Sequence, residues 1–233
     1  MFTVISNLYN EIFETKTGIK SYPIKPYFRL DAPVSSHADM LICVLDKTVF
    51  CYKEHYLENE SVFNEIISCG YKIVFVEKIC QKDYPNDIAL NVLKVNNTVF
   101  CNLKHTAKEI LEYAQNNNYK LVNVNQGYAS CSTLVLSNKC AITADKGIFS
   151  ALKAENVDCL LIDENGIRLD GYSYGFIGGS SAVIGNTVYF FGSLDNHPSS
   201  NEIKAFLKER MVEFVEIDDN YISDFGGAKT FYI

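Results

Sequence analysis

Short apolar runs alternate with turn-forming residues along the whole chain, and one such pattern returns at regular intervals. Its internal copies read DKTVFC, NNTVFC, NKCAIT and GNTVYF, and a further copy, MFTVIS, stands at the N-terminus. Aligned on Thr3, Thr48, Thr98, Cys140 and Thr187, the copies are 45, 50, 42 and 47 residues apart, and the step from Thr187 through Ile233 back to Thr3 takes 49. Repeats of this length are supersecondary units that pack against their neighbours. Five steps that use the whole chain predict a closed, pseudo-fivefold ring.

Each repeat predicts the same order of elements. An apolar run such as Met40–Leu45 comes first, and a turn former such as Asp46 or Asn138 separates it from a second β-type run, which predicts a hairpin. The segment Thr106–Gln115 has apolar residues at i, i+3, i+4 and i+7, which predicts a helix with one face packed on a sheet. A third apolar run, here Lys120–Val124, follows the helix. The unit is therefore strand–turn–strand–helix–strand.

The two ends of the chain share one unit. Tyr221–Ile233 aligns with the first strand, Thr3–Ser6 with the second, Asn7–Glu14 with the helix and Ile19–Ile24 with the third strand. The prediction is an α/β fold, a closed pseudo-fivefold α/β propeller formed by a single domain over residues 1–233, with Met1 and Ile233 close together. Such closure leaves fewer free sheet edges for aggregation.

Local signals add finer predictions. The pairs Thr106–Glu109 and Ser199–Glu202 have the spacing of capping boxes. His55, between a strand and a helix, is expected to be exposed to solvent.

Composition narrows the functional classes. With 48% hydrophobic residues the chain can bury a large core, and no apolar stretch reaches the 18 or so residues of a membrane span. The eight cysteines form no CxxC pair, which suits a reducing cytoplasm better than a disulfide framework. The net charge of −7 and the lack of a basic, aromatic-rich stripe argue against nucleic acid as a partner. We therefore predict a cytoplasmic protein with no membrane, metal or cofactor requirement; its oligomeric state stays open.

The repeat pattern resembles the pentein fold, also called the guanidino-group-modifying enzyme fold, over the whole chain. The segments HADM, YPNDIALN, NQGYASCST, GFIGG and DFGG look most like an uncharacterised bacterial branch of that superfamily. The resemblance implies a central cavity lined by the starts of the inner strands. It also implies one of two kinds of function. Arginine and agmatine deiminases, dimethylarginine hydrolases and amidinotransferases are enzymes, whereas the archaeal and eukaryotic ribosome anti-association factor shares the fold without being one.

Polar residues cluster before the first strand of each repeat, where a cavity of this kind would lie. They form a candidate site in which carboxylates would bind a guanidinium, while a thiolate attacks its carbon and a histidine moves protons. The candidate catalytic residues are His37, Asp39 and Cys131. The candidate substrate-binding residues are Asn86, Asp87, Ser130, Ser132, Gly179, Ser180 and Asp224. The alternative is structural: polar side chains at strand starts satisfy local backbone groups, and paired glycines permit close backbone approach.

One departure from the resemblance bears on mechanism. Catalytic penteins carry their nucleophilic cysteine in the last unit, after a glycine-rich turn, and Ala228 stands nearest to that place here. Cys131 is the remaining candidate: a nearby His37 would lower the pKa of its thiol, while neighbouring carboxylates would raise it. The sequence thus predicts binding of a small cationic guanidino, amidino or amino-acid-like compound, with hydrolase or transferase chemistry as one option. The alternative is a non-catalytic binding or interaction protein.

Overall fold

The predicted unit occurs five times in the computed structural model, which describes residues 1–137 and 139–233. Each unit contains a three-stranded sheet whose middle strand pairs antiparallel with the first strand and parallel with the third. An antiparallel hairpin followed by a helical crossover to a parallel strand produces this order. The strand–turn–strand–helix–strand prediction is confirmed.

Strands are numbered in chain order. Four sheets are continuous in sequence, and the fifth joins the two ends of the chain. The continuous sheets consist of β3 (Cys43–Leu45), β4 (Thr48–Cys51) and β5 (Lys72–Phe75); β6 (Leu93–Val95), β7 (Thr98–Cys101) and β8 (Lys120–Asn123); β9 (Thr133–Ser137), β10 (Cys140–Thr143) and β11 (Asp158–Leu161); and β12 (Ser181–Ile184), β13 (Thr187–Phe190) and β14 (Glu213–Glu216).

The remaining sheet confirms the predicted closure. It is formed by β1 (Phe2–Ser6), β2 (Ser21–Ile24) and β15 (Ala228–Phe231), and Phe2 lies opposite Phe231 in the antiparallel pair. The two ends of the chain therefore lie side by side in one hairpin-like pair. Side chains from the first strand of all five sheets line one common cavity, which places the sheets around a single axis.

Seven α-helices complete the units within the described residues, and a short 3-10 helix (Ala32–Val34) precedes the second of them. The α-helices are α1 (Asn10–Thr17), α2 (Ala38–Leu41), α3 (Lys53–Glu58), α4 (Glu60–Ser68), α5 (Lys108–Asn116), α6 (Lys146–Ala154) and α7 (Ser200–Glu209). The predicted apolar stripe is confirmed in α5, where Ile110 and Ala114 are buried. No helix among the described residues is both long and apolar enough to cross a membrane.

Both predicted capping boxes are wrong. Helix α5 begins two residues beyond Thr106, whose hydroxyl donates instead to the carbonyl of Asn102 at 2.9 Å. Ser199 does stand at the N-cap of α7, but its hydroxyl accepts a hydrogen bond from the backbone N–H of Asp163 at 3.0 Å. In each case a neighbouring loop competes successfully for the hydroxyl group.

The hairpin turns explain the repeated Asn, Asp and Gly residues. Asp46, Asn96 and Gly185 have φ values of 53°, 52° and 62°, in the left-handed region that these residue types tolerate best. The predicted turn residue Asn138 lies outside the described residues.

Two sequence expectations concern buried groups. The cysteines of the described strands are unpaired, and Cys43, Cys51 and Cys101 are buried among apolar side chains, as predicted. His55, in contrast, was expected to be exposed and is fully buried. Its Nε2 lies 3.2 Å from the carbonyl of Lys25, and its ring packs against Tyr27 and Phe63, so the short helix α3 turns this side chain inward.

Candidate functional site

Two cavities are lined by residues that lie at the start of, or along, the first strands of the five sheets. The first, of about 230 Å³, lies at the starts of the first strands, where the sequence placed the site. The second, of about 510 Å³, runs along the first strands themselves. His37, at the N-cap of α2, lines the first cavity, while Asp39, two residues later, lines the second. The predicted polar residues therefore gather at one axis but do not share one cavity.

The first cavity has aromatic walls. Tyr128 and Phe176 are partly buried with ring centroids 5.8 Å apart, and Tyr172 and Tyr174 are more exposed. Val34, Met40 and Leu169 add apolar surface. Aromatic faces of this kind attract flat or cationic ligands.

One carboxylate oxygen in this cavity is free to accept a hydrogen bond. Asp87 is buried, and its Oδ2 accepts a 2.6 Å hydrogen bond from the hydroxyl of Tyr128. Its Oδ1 is also buried and has no hydrogen-bond partner among the described residues. Burial raises the pKa of Asp87, and the Tyr128 hydroxyl opposes that shift. A ligand donor would therefore satisfy an acceptor that the protein leaves unpaired.

Asp224 is held rigidly at the floor of the same cavity. Its carboxylate accepts backbone hydrogen bonds from Phe176 at 2.8 Å and from Gly226 at 2.9 Å. Burial nevertheless raises the pKa of Asp224 to about 6, although both hydrogen bonds oppose the shift. The Nδ1 of His37 lies 3.7 Å from this carboxylate. Burial lowers the pKa of His37, so the imidazole is neutral at neutral pH.

The glycines around the floor allow these close approaches. A Cβ on Gly179 would lie 2.0 Å from the Asp224 carboxylate, and one on Gly226 would lie 2.3 Å from the Cβ of His37. Gly226 also has a φ of 78°, which a residue with a side chain rarely adopts. Gly179 thus permits the close approach of Asp224. This is the structural role that the sequence analysis gave as the alternative to substrate binding for the paired glycines.

Cys131 lines the first cavity as a buried thiol. Asn91 donates from Nδ2 to its sulfur at 2.7 Å, and the Asn91 side-chain oxygen accepts from the backbone N–H of Ser130 at 2.7 Å. Burial raises the pKa of Cys131 well above its usual range, and the carboxyls of Asp39 and Asp224 raise it further. The expected lowering of this pKa by His37 is wrong, while the opposing effect expected from the carboxylates is confirmed.

Of the remaining predicted residues, Ser130 alone lines one of these two cavities. Ser130 lines the second cavity, and Ser132 lines a pocket of about 40 Å³ elsewhere. Ser180 is fully buried and donates to the carbonyl of Ile177 at 3.1 Å. Asn86 is partly buried in the loop before Asp87, where its backbone N–H donates to the carbonyl of Asp83 at 2.8 Å. Among the described residues, Asn86, Gly179 and Ser180 are absent from the walls of both cavities.

Sequence reasoning missed several residues that shape the site. Asn91 connects α2 to the Cys131 segment, and Lys229 enters the second cavity from β15. The segment 171–176, GYSYGF, supplies much of the aromatic wall, and its density of aromatic residues between two strands was a usable signal. For Asn91 and Lys229, the repeat alignment gave no comparable signal.

Comparison with known proteins identifies the family. The model of a family of unknown function, DUF6873, matches residues 4–228, and the chain belongs to that family. No curated protein matches the sequence.

Solved structures share the fold at low sequence identity. The amidinotransferase SxtG of the saxitoxin biosynthetic pathway, from Microseira wollei, superposes with a TM-score of 0.58 at 11% identity, over 97% of this chain and 78% of that one. A Cys-to-Ser mutant of DDAH from Pseudomonas aeruginosa, complexed with citrulline, gives 0.55 at 11% identity, over 92% and 83%. Agmatine deiminase from C. jejuni gives 0.52 at 10% identity, over 92% and 74%. These neighbours have the pentein fold, as does this chain, and the predicted fold is confirmed.

Proposed function

We propose that this pentein binds a small cationic guanidino or amidino compound in the first cavity. The observation that carries the proposal is the buried Oδ1 of Asp87, which has no partner among the described residues and lies in an aromatic-walled cavity. A guanidinium would donate to this oxygen by a charge-assisted hydrogen bond and stack on the aromatic walls. The activities named for the structural neighbours, amidinotransferase and agmatine deiminase, concern ligands of this class and support the proposal.

Within this proposal, binding is better supported than covalent catalysis. The thiol of Cys131 has a pKa raised by burial and by two carboxyls, so it is protonated and weakly nucleophilic at neutral pH. Ala228 stands where catalytic penteins carry their cysteine. A hydrolase or transferase reaction would require the bound cation to offset the carboxylates before Cys131 could lose its proton.

A binding experiment with matched ligands tests the proposal. Isothermal titration should detect n-propylguanidinium, while n-propylurea, similar in shape but neutral, should bind at least tenfold more weakly. Asp87→Asn should weaken binding of the guanidinium roughly 10- to 100-fold, because a charged hydrogen bond contributes about 1.5–3 kcal/mol. Asp83→Asn, at an exposed position in the same loop, is the control and should leave affinity unchanged. Equal binding of the two ligands, or equal affinity in both variants, would refute the proposal.

A further inference from the structure

We propose that the second cavity is a separate binding site for a small zwitterion of the α-amino acid class, with the ligand ammonium at Asp39 and the ligand carboxylate at Lys229. This site lies along the first strands of the five sheets and is distinct from the aromatic cavity of the proposed function. The inference does not depend on that function.

Asp39 is the strongest indication of a ligand. Its side chain is buried, and neither carboxylate oxygen has a nitrogen or oxygen hydrogen-bond partner among the described residues. The thiol of Cys131, a weak donor, lies beside the carboxyl group and does not replace such a partner. Its backbone is fully engaged, since the N–H donates to Gly226 and the carbonyl accepts from Asn91. A buried carboxyl group without partners is costly to the fold, so a site that supplies donors from a ligand explains why it is present.

A second polar group in the same cavity is also unsatisfied. Thr133, at the start of β9, is buried, and its hydroxyl has no hydrogen-bond partner among the described residues. Thr133 and Asp39 both line the cavity. Two unsatisfied buried groups on different units thus face the same space.

Lys229 supplies the opposite charge. Its side chain extends from β15 into the cavity, and its hydrogen-bond partner among the described residues is the hydroxyl of Ser130, at a long 3.4 Å. Lys94, the other lysine in the wall, is instead paired with Asp46 at 2.8 Å. Lys229 is therefore the cation available to a ligand carboxylate.

The combination favours a zwitterion over a simple cation or anion. Asp39 and Lys229 influence each other electrostatically, yet no salt bridge joins them in the described part of the chain, so the carboxyl and the ammonium both remain available to a ligand. Burial favours the neutral Asp39 carboxyl in the empty cavity, and a bound ammonium would restore its charge. A ligand with an ammonium and a carboxylate would satisfy both, and the Thr133 hydroxyl would accept or donate a further bond. The volume of about 510 Å³ accommodates a compound of amino-acid size.

The experiment uses free α-amino acids as probes. Each is titrated into the intact protein by isothermal calorimetry, and the best binder is compared with the corresponding amine and the corresponding acid, which each lack one charge. We expect the intact amino acid to bind at least tenfold more tightly than either. Asp39→Asn and Lys229→Met should each weaken its binding at least tenfold, whereas Asp87→Asn, in the other cavity, should leave it unchanged.

The outcomes separate this inference from the proposed function. Failure of every amino acid to bind, equal binding of the singly charged analogues, or unchanged affinity in Lys229→Met would overturn the second site. Loss of amino-acid binding in Asp87→Asn would place the ligand in the first cavity and would also overturn it. Lys229 is partly exposed and not part of a salt bridge among the described residues, so its variant decides the question if Asp39→Asn does not fold.

Discussion

His37, Asp39, Cys131 and Asp224 line the two cavities with buried titratable side chains, and burial drives all four toward their neutral forms. The pKa values of Asp39, Asp224 and Cys131 are raised and that of His37 is lowered, with burial as the largest cause in each case. Neighbouring carboxyls add to the shift of Cys131, because a like charge opposes ionisation. At neutral pH, the protein therefore presents a neutral imidazole and a neutral thiol.

The raised pKa of Asp224 predicts a specific pH dependence of stability. Its pKa is about 6 in the fold and 3.8 for an unperturbed carboxyl, so the folded state binds this proton more tightly. The stability due to the protonated group is complete below pH 3.8 and is lost as the pH rises through 6. Over that interval, wild type should lose on the order of 3 kcal/mol more unfolding free energy than Asp224→Asn.

Urea unfolding of both proteins at a series of pH values measures this difference. A carbon-detected NMR titration provides the independent check, with a carboxyl midpoint near 6 for Asp224. Parallel stability profiles together with a midpoint near 4 would show that the carboxyl is not desolvated as described.

Cys131 should react slowly with alkylating reagents despite its place in a cavity wall. The thiolate is the reactive form, and the raised pKa makes it scarce. We expect iodoacetamide to label Cys69, the half-buried cysteine at the end of α4, well before Cys131 in the folded protein. Mass spectrometry with site assignment measures both rates. Faster labelling of Cys131 than of Cys69 would revive its role as a nucleophile.

At the scale of elements, a polar side chain at the start of a helix hydrogen-bonds either to the helix backbone or to a neighbouring loop. Asp145 caps α6, with its Oδ1 accepting from the backbone N–H of Ile148 at 2.7 Å. Ser199 occupies the N-cap of α7 but binds the loop residue Asp163 instead. The N-cap side chain thus stabilises the helix backbone in one unit, whereas in another unit it connects a loop to the helix by a hydrogen bond.

The cap of α6 gives an element-level prediction. Asp145→Ala should lower the unfolding free energy by about 1 kcal/mol, because it leaves a helix N–H without its acceptor. Asp145→Asn keeps a side-chain oxygen as the acceptor and should lower the unfolding free energy by only a few tenths of a kcal/mol. Chemical denaturation of both variants provides the measurement. If the two variants are equally stable, the cap contributes little.

For the whole molecule, the pairing of β1 with β15 makes the last strand essential to the ring. Phe2 and Phe231 face each other in this sheet with ring centroids 5.4 Å apart, and Lys229 and Ala228 form part of the second cavity wall. The sheet holds the two ends of the chain at one place in the ring.

A circular permutant tests this closure. A short Gly-rich linker between Ile233 and Met1, with new ends opened at the turn of Gly185 and Asn186, should preserve the β1–β15 pair and the cooperative unfolding transition. Deletion of residues 228–233 removes a strand and should lower the melting temperature sharply or abolish the transition. Differential scanning calorimetry compares the two with the original chain. A deletion variant that melts like the original would contradict the closure.

The sequence by itself determined the repeat and its elements. Apolar periodicity and turn residues are local, and each recurs five times, so errors in one unit are corrected by the others. The five sheets, the shared end unit and the turns at Asp46, Asn96 and Gly185 were all predictable from these signals. The capping boxes were less predictable, because each hydroxyl has a competing partner outside its helix. Thr106 donates to Asn102 in the preceding loop, and Ser199 accepts from Asp163, which is distant in sequence.

The tertiary structure alone decided which polar residues face which cavity. His37 and Asp39 are two residues apart, yet the first turn of α2 directs one side chain to each cavity. Lys229 and Asn91 reach the axis from separate units, and no spacing along the chain encodes that meeting. The protonation state of Cys131 could not be predicted from the sequence either. The pKa of a thiol depends on desolvation and on nearby charges, and only packing brings these together. The local pattern of apolar and turn-forming residues determines the helices and strands. The chemistry of the site depends on burial and on distances between residues that are far apart in the sequence.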